Sequence, residues 1–519
     1  MADPILLWNE VALEANRISH TNGRGEQAGP PLSARALAIV HLAMYDAFAA
    51  VAPAATLPPY MKGLMPTVPA TPSRDAAVAG AAYHALVELF PSQKPFFDSI
   101  LAGVGTKNTP SHQFGVDVAK KMLTDRAADP NAGSVSYKPS LDPGKHRPDP
   151  DNAGQGFHAP DYGKLSKGFA IGARHTIAPP PLKNSDGSPN ADYIKALKQV
   201  RGKGIKPELM GTLPAAVPAR EVNDTMIGIY WGYDGAFELG TPPRLYNQIL
   251  REVAIAKGND AAANVALFAL ANVALADAGI LAWEQKYDHN FWRPVVGIRE
   301  HDTSTGPSST AVPDDKIDNE CDPFWLPLGA PNSNRKGEKN FTPNFPAYPS
   351  GHATFGAAAL HIARLIYNVG GRYSTNNLTP DSLFNGLSFV SEELNGISTD
   401  NNGTARTRHV RKFPGGLWQM IEENGRARVY LGVHWVFDAF AVDEKGDPDL
   451  GKVVGGMRVG GVPLGLITAE DIFDRFKAAQ ASGGPGWKST VMGSTAPMAA
   501  PAGGSATFSS SFQPARSAR

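Results

Sequence analysis

Residues 261 to 283, from Ala261 to Trp283, form the longest apolar run in the chain and are broken only by Asn264, Asn272 and Asp277. A run of that length can span a bilayer, but its polar residues recur about every two helical turns, and no second stretch matches its length and apolarity. We therefore expect a buried core helix over 260–286. A helix apolar all round needs partners on every side, so the chain must supply a helical shell.

Helical periodicity runs over 4–18, 33–52, 75–90, 94–104 and 111–128, with Pro91 and Pro110 as punctuation. His41 and Asp46, the polar exceptions of the second helix, read as satisfied core residues. Residues 129 to 190 change character, with clusters such as Asp142-Pro143-Gly144 and Pro148-Asp149-Pro150 and little periodicity. That long loop carries His146, Arg147, His158 and His175, read as solvated residues or as the rim of a pocket. A second helical set begins near Arg220 and includes 243–257, the core helix, 351–369, 415–431 and 433–442. Strand signals are weak throughout, so the expected fold is all-α, a pair of bundles joined by long irregular loops. The expected division is an N-terminal helical bundle with the long loop (1–215), a C-terminal bundle carrying the chemistry (216–480) and a flexible Gly, Ser, Ala and Pro tail (481–519).

With 49 Lys and Arg against 49 Asp and Glu, nothing in the charge balance favours nucleic acid. Cys321, the single cysteine, excludes an intrachain disulfide, a four-cysteine zinc site and an iron–sulfur cluster carried by this chain alone. The N-terminus lacks a basic region followed by a long apolar core, so no secretory signal is read. The expectation is a soluble protein without membrane contact, cytoplasmic or exported by another route, with homo-oligomerisation left open.

The stretch richest in chemical meaning is Tyr348-Pro349-Ser350-Gly351-His352. Pro349 cannot extend a helix from behind, Ser350 is a good N-cap, and Leu360, Ala363 and Tyr367 continue at helical spacing. Such a start points unpaired N–H groups outward and suits an oxyanion, with His352 beside it to exchange protons. Alone, the same letters could be helix punctuation.

Two further stretches bear on the choice. In Lys286-Tyr287-Asp288-His289-Asn290-Phe291-Trp292-Arg293-Pro294 the two cations lie seven apart, on one face while the helix lasts, and Pro294 should end it at Arg293. They are either a solvated pair or an anion clamp. In Arg428-Val429-Tyr430-Leu431-Gly432-Val433-His434-Trp435-Val436-Phe437-Asp438, Gly432 can cap one helix, which puts His434 in the first turn of the next. Asp438 is then one turn on and can accept the second imidazole N–H, fixing the tautomer. Lys286, Arg293 and Arg428, one helix start, His352 and His434 together compose a site for a tetrahedral oxyanion.

Lys286-x6-Arg293-Pro294, then Pro349-Ser350-Gly351-His352, then Arg428-x5-His434-x3-Asp438 resembles the three-part signature of the acid phosphatase and vanadium-dependent haloperoxidase superfamily. The wider similarity, including Tyr230-Trp231-Gly232-Tyr233-Asp234-Gly235 and Gly240-Thr241-Pro242-Pro243-Arg244, is to the vanadium chloroperoxidases over residues 1 to 475. The resemblance implies two packed four-helix bundles and vanadate as cofactor. His434 would bind vanadium; Lys286, Arg293, Ser350, Gly351 and Arg428 would hold its oxygens. His352 would be the acid–base residue, Asp438 would stand behind His434, and Asp234 would pair with Arg428. Trp283 and Phe345 would line the halide pocket, and Phe345 in place of a histidine leans towards chloride competence. Ala427 departs from the family's usual serine before the arginine, a change that bears on vanadate affinity.

The implied activity is oxidation of halide, bromide and with it chloride, by hydrogen peroxide to hypohalous acid, which halogenates a small organic substrate. His352 would take the proton of the incoming peroxide. The rival reading is a soluble phosphomonoesterase in which His434 attacks phosphorus and His352 protonates the leaving oxygen. Vanadate imitates the phosphorane of that reaction, so motif spacing leaves both open. A scaffold that merely retains the pocket is disfavoured, because buried cations are costly to keep without a ligand.

Overall fold

The computed structural model describes residues 3–51, 57–63, 65–133, 137–482 and 486–494. The first helices are α1 (Pro4–Ser19), α2 (Pro30–Val51), α3 (Arg74–Leu89), α4 (Lys94–Val104) and α5 (Pro110–Asp125), close to the expected bounds. Their starts follow cap chemistry: Asp3, Ser73 and Thr109 accept first-turn amides, and prolines occupy the opening positions of α1, α4 and α5. Beyond α5 the described chain is irregular up to residue 190 except for the short α6 (Tyr162–Leu165) and isolated bridges. The second set begins earlier than expected, with α7 (Ala191–Lys203), which Asn190 caps and which buries Tyr193, Ala196, Leu197 and Val200.

There follow α8 (Val222–Tyr230), α9 (Pro242–Ala256), α10 (Ala261–His289), α11 (Pro294–Arg299), α12 (Gly351–Ile366), α13 (Gly416–Tyr430), α14 (Val436–Ala439) and α15 (Gly461–Ser482). Among the described residues, strand is confined to an antiparallel pair, Val453–Val454 with Met457–Arg458. The helix expected over 433–442 shrinks to α14. There the Asp438 carboxylate folds back onto the Trp435 amide at 3.1 Å, so the helix starts at Val436.

The 29-residue α10 is the axis of the molecule, about 43 Å long at 1.5 Å per residue. Helices α2, α12 and α15 pack along it, α3 packs on α2 and α5, and α13 on α12 and α8. The polar interruptions of α10 are all satisfied. Asn272 exchanges hydrogen bonds with Asn247 of α9 at 2.8 and 2.9 Å, and Asn9 of α1 donates to Asn247 at 3.1 Å. Asp277 accepts the amides of Phe169, Ala170 and Ile171 at 2.6, 2.7 and 3.0 Å, pinning the long loop to the core. Helix α2 is also long and apolar enough to cross a membrane, so α10 does not stand alone in that respect, but both helices are mostly buried inside the protein.

Close approach of α3 to α5 depends on Gly80 and Gly115, where a Cβ would overlap the His112 and Ala77 carbonyls respectively. The buried apolar residues form one cluster from Ile5 to Trp487. Within the stretch expected to be a flexible tail, residues 486–494 instead pack on the body: Trp487 lies 5.4 Å from the Tyr45 ring, 5.0 Å from Tyr60 and 5.5 Å from Phe476. Burial of an indole is the physical reason for that docking. Residues 495–519 lie outside the described residues. Cys321 is buried, its Sγ donating to the Arg299 carbonyl at 3.4 Å.

Candidate active site

Ser350 caps α12, its Oγ accepting the Ala353 amide at 3.4 Å while its own amide donates to the Asp438 carbonyl at 2.8 Å. The amides of Gly351 and His352, the first two of the helix, have no acceptor among the described residues. Gly351 packs closely on Trp283, where a Cβ would sit 3.2 Å from the ring.

Lys286 and Arg293 do not share a helix face as expected. Asn290 adopts the left-handed conformation (φ 52°), closing α10 at His289, and Arg293 leaves the helix to cap α11. The two cations converge nonetheless on the segment before α12. Lys286 Nζ donates to the carbonyls of Pro346, Ala347 and Pro349 at 2.9, 3.0 and 2.5 Å, which engages all three of its protons. Arg293 Nε donates to the Phe345 carbonyl at 2.9 Å, and the Phe345 ring lies 4.9 Å from the guanidinium and 5.0 Å from Nζ. Arg293 Nη2 is buried without a partner. Burial and the neighbouring Arg293 hold the Lys286 pKa well below its ordinary value, and burial lowers that of Arg293 to about 9.

His434 stands before α14, not in its first turn, yet the expected pair forms: Nδ1 meets Asp438 Oδ2 at 2.7 Å. Arg293 Nη1, which can only donate, lies 2.9 Å from His434 Nε2. Nε2 is therefore the lone-pair nitrogen and Nδ1–H donates to Asp438. Burial and then Arg293, Lys286 and Arg428 hold the His434 pKa well below its ordinary value, so the ring is neutral. Burial raises Asp438 to about 7 against the pull of Lys286 and Arg293.

Arg428 makes a bidentate pair with Asp234, both bonds 2.9 Å, and keeps a buried Nε without a partner. His352 Nε2 lies 2.9 Å from the Gly232 carbonyl, so Nε2 carries the proton and Nδ1 the lone pair. Burial, then Arg428, push its pKa down to about 3. Its backbone is fixed as well, with the His352 carbonyl accepting from Tyr246 Oη at 3.0 Å and Asn424 Nδ2 at 2.7 Å. Trp283 and Phe345, with ring centroids 4.9 Å apart, wall a cleft that also exposes Asp234, His352, Arg428 and His434.

Asp234, Gly351, His352, Arg428 and His434 thus face one cleft, with Lys286, Arg293 and Asp438 buried against its walls. The donors left over, Arg293 Nη2, Arg428 Nε and the amides of Gly351 and His352, suit several oxygens of one tetrahedral anion, and His434 Nε2, once it releases Arg293 Nη1, suits one coordination bond to its centre. A vanadate ion fits that donor set.

Of the four loop residues singled out from the sequence, His146 and Arg147 are buried and His158 and His175 are half-buried. His146 is buried with neither ring nitrogen hydrogen-bonded, and burial, Arg293, Lys286 and Arg147 hold its pKa well below the usual range. Arg147 pairs with Glu300, His175 with Asp471 at 2.8 Å, and the His158 ring lies 6.4 Å from Trp283 and 6.5 Å from Phe345. Packing of the loop on the body buries His146 and Arg147, and an aperiodic segment carries no sign of that. The Gly232 carbonyl, Tyr246 and Asn424 were not foreseen; a backbone acceptor leaves no mark in a sequence.

Comparison with known proteins bears on this site. The family model described as the VCPO second helical-bundle domain matches residues 266–457, and that described as the vanadium chloroperoxidase N-terminal domain matches residues 2–156. Vanadium chloroperoxidase of Curvularia inaequalis is 34% identical over 571 residues, covering 91% of this chain and 89% of that relative. Among solved structures, an apo-type bacterial vanadium-dependent chloroperoxidase is similar in fold (TM-score 0.58, 14% identity), over 88% of this chain and 95% of the other. The first bacterial vanadium-dependent iodoperoxidase is likewise similar (TM-score 0.57, 18% identity), over 90% and 95%.

Proposed function

The chain belongs to the vanadium chloroperoxidase family, and from that premise we propose that it is a vanadate-dependent haloperoxidase working in the cleft around His434. It oxidises halide with hydrogen peroxide to hypohalous acid. One observation supports the placement: His434 keeps an unprotonated Nε2, its tautomer fixed by Asp438, beside buried arginines with unused donors, and that nitrogen need only release Arg293 Nη1 to bind.

His434 Nε2 would hold the metal, and Arg293, Arg428, Ser350, Gly351 and Lys286 would hold its oxygens. Lys286 is the one member that must share or release a carbonyl to do so. When bound, vanadate supplies Lewis-acid activation of peroxide towards halide without changing oxidation state. His352 supplies the base. Its lone pair on Nδ1 accepts the peroxide proton, while Nε2 stays on the Gly232 carbonyl. An anion in the cleft would offset the Arg428 field that depresses this imidazole, raising its basicity when substrate is present. Asp234 holds Arg428 in plane, and Asp438 keeps the His434 tautomer. Trp283 and Phe345 present apolar faces that exclude water from the halide path. Phe345 leaves no imidazole at that position, which favours chloride as well as bromide oxidation. A small organic molecule is the acceptor of the hypohalous acid.

The test is halogenation of a phenolic dye by apoprotein supplied with orthovanadate, peroxide and bromide or chloride, singly and together, beside p-nitrophenyl phosphate hydrolysis without vanadate. Halogenation that requires vanadate and vanishes in His434→Ala is the expected result. Phosphatase turnover that vanadate inhibits, with no halogenation at any pH, would replace this reading by a phosphomonoesterase with His434 as nucleophile.

A further inference from the structure

Behind His352 and Arg428 lies a second layer of buried charge that none of the three motifs contains. The segment Trp231–Asp234 supplies the polar contacts that orient both residues. Gly232 offers its carbonyl to His352 Nε2, and Asp234 takes both Arg428 bonds. Between them stands Tyr233, fully buried, with φ at 37°. A residue with a side chain is strained in that region, and the strain persists only where the surroundings over-determine it.

Two successive glutamates do so here. The Tyr233 Oη accepts the Glu392 amide at 2.9 Å and donates to Gln248 at 3.2 Å, while Glu392 is itself paired with Arg244. Glu393 is fully buried, its Oε2 accepting from Ser333 Oγ at 2.5 Å and Arg406 Nη1 at 2.7 Å; the same Nη1 reaches Ser333 Oγ at 2.7 Å, closing a triangle. The other oxygen, Oε1, lies against the kink, so close that a Cβ on Gly232 would be 2.7 Å from it. Burial raises the Glu393 pKa to about 7, and Arg406, Ser333 and the Tyr233 N–H all oppose that rise. Oε1 makes no hydrogen bond of its own, so this costly buried carboxylate, held by its own arginine and absent from the cleft lining, acts on the neighbouring peptide through close packing and charge.

We propose that Glu393, clamped by Arg406 and Ser333, is a positioning residue that holds the Gly232–Tyr233 peptide in the left-handed kink, aiming the Gly232 carbonyl at His352 and the Asp234 carboxylate at Arg428. This deepens the haloperoxidase reading and rests on it for the roles of those two residues. Release of the kink withdraws the acceptor that keeps the proton on His352 Nε2. The ring then samples the tautomer with Nδ1 protonated, which is no base towards peroxide.

The experiment compares wild type with Glu393→Gln, which keeps shape but removes charge, and with Ser333→Ala, which removes one of the two bonds that clamp Glu393. The first measurement is the His352 tautomer in 15N-histidine-labelled apoprotein, assigned with His352→Gln; the second is kcat for bromide oxidation with saturating vanadate; the third is the melting temperature. The expected result is a new Nδ1–H population of His352 in both variants, with kcat lowered roughly tenfold. A wild-type tautomer and kcat in both, with only a lower melting temperature, would overturn the proposal and leave Glu393 a structural residue. If Glu393→Gln does not fold, Ser333→Ala alone decides it. Because the tautomer is read without vanadate or turnover, absence of halogenation in wild type would sink the functional reading while leaving the positioning role to stand or fall by the spectrum.

Discussion

Replacing Asp438 by asparagine tests the link between the carboxylate and the metal-binding nitrogen. Asp438 Oδ2 accepts from His434 Nδ1 at 2.7 Å and from the Trp435 amide at 3.1 Å, and the side chain is fully buried. Asparagine keeps an oxygen able to accept both bonds, so the turn into α14 should survive. What it loses is charge assistance. A charge-assisted hydrogen bond contributes about 1.5–3 kcal/mol and a neutral one about 0.5–1.5 kcal/mol, a difference of roughly 1.4 kcal/mol in the basicity of His434 Nε2. At 1.4 kcal/mol per decade, vanadate should bind roughly tenfold more weakly. The assay is calorimetric titration of apoprotein with orthovanadate, with near-ultraviolet dichroism to check the fold. Affinity within about twofold of wild type, in a folded variant, would refute the claim that Asp438 tunes His434.

Three further outcomes are expected. His352→Ala should leave vanadate affinity within severalfold and lower kcat by about 10²–10⁴, measured by titration and steady-state kinetics; an equal loss in both would make His352 a binding residue only. His41 has its pKa lowered to about 4 by burial, with Nδ1 on the Leu37 carbonyl and Nε2 beside Asn9 Nδ2. Its folded pKa lies below the unfolded value, so its neutral form is free of penalty above about pH 6.5. Stability is then lost as pH falls towards 4, because only the unfolded chain takes up the proton. His41→Gln should therefore flatten the melting temperature relative to wild type across that window, and a difference independent of pH would contradict the assignment. Trp487→Ala should destabilise the protein by about 3–5 kcal/mol in a denaturant titration, whereas a change under about 1 kcal/mol would mean that residues 486–494 are not docked as described.

What could be read in the sequence was local or carried by the resemblance. Ser350, Gly351 and His352 write their own helix start, and the four-residue step from His434 to Asp438 brings the two together even though the helix around them is shorter than expected. The failures have a common cause. Asn290 turns the backbone left-handed in a single step, which moves Arg293 off the face of α10 without altering any hydrophobic period. Gly232 acts through a carbonyl that every residue has. His146 and Arg147 are buried by a loop whose own sequence shows no buried face. Helix α7 is a different case, since Tyr193, Ala196, Leu197 and Val200 carry the usual spacing and Asn190 the usual cap. It was legible, but it lay between the irregular stretch 129–190 and the helical set expected from near Arg220.

An enzyme that releases hypohalous acid works in the presence of its own most reactive product, and sulfur is what that product attacks first. The lone thiol of the chain, Cys321, is 6% exposed with Sγ turned onto the Arg299 carbonyl, so little of it meets solvent. Among the described residues, Met492, at 69%, is the thioether most open to water, on the strip that Trp487 fastens to the body. Conversion of that side chain to a sulfoxide adds polarity where water already is and leaves the core untouched. The distribution of sulfur gives the fold a replaceable outer target, repairable by reductases, ahead of the residue whose oxidation would be felt inside.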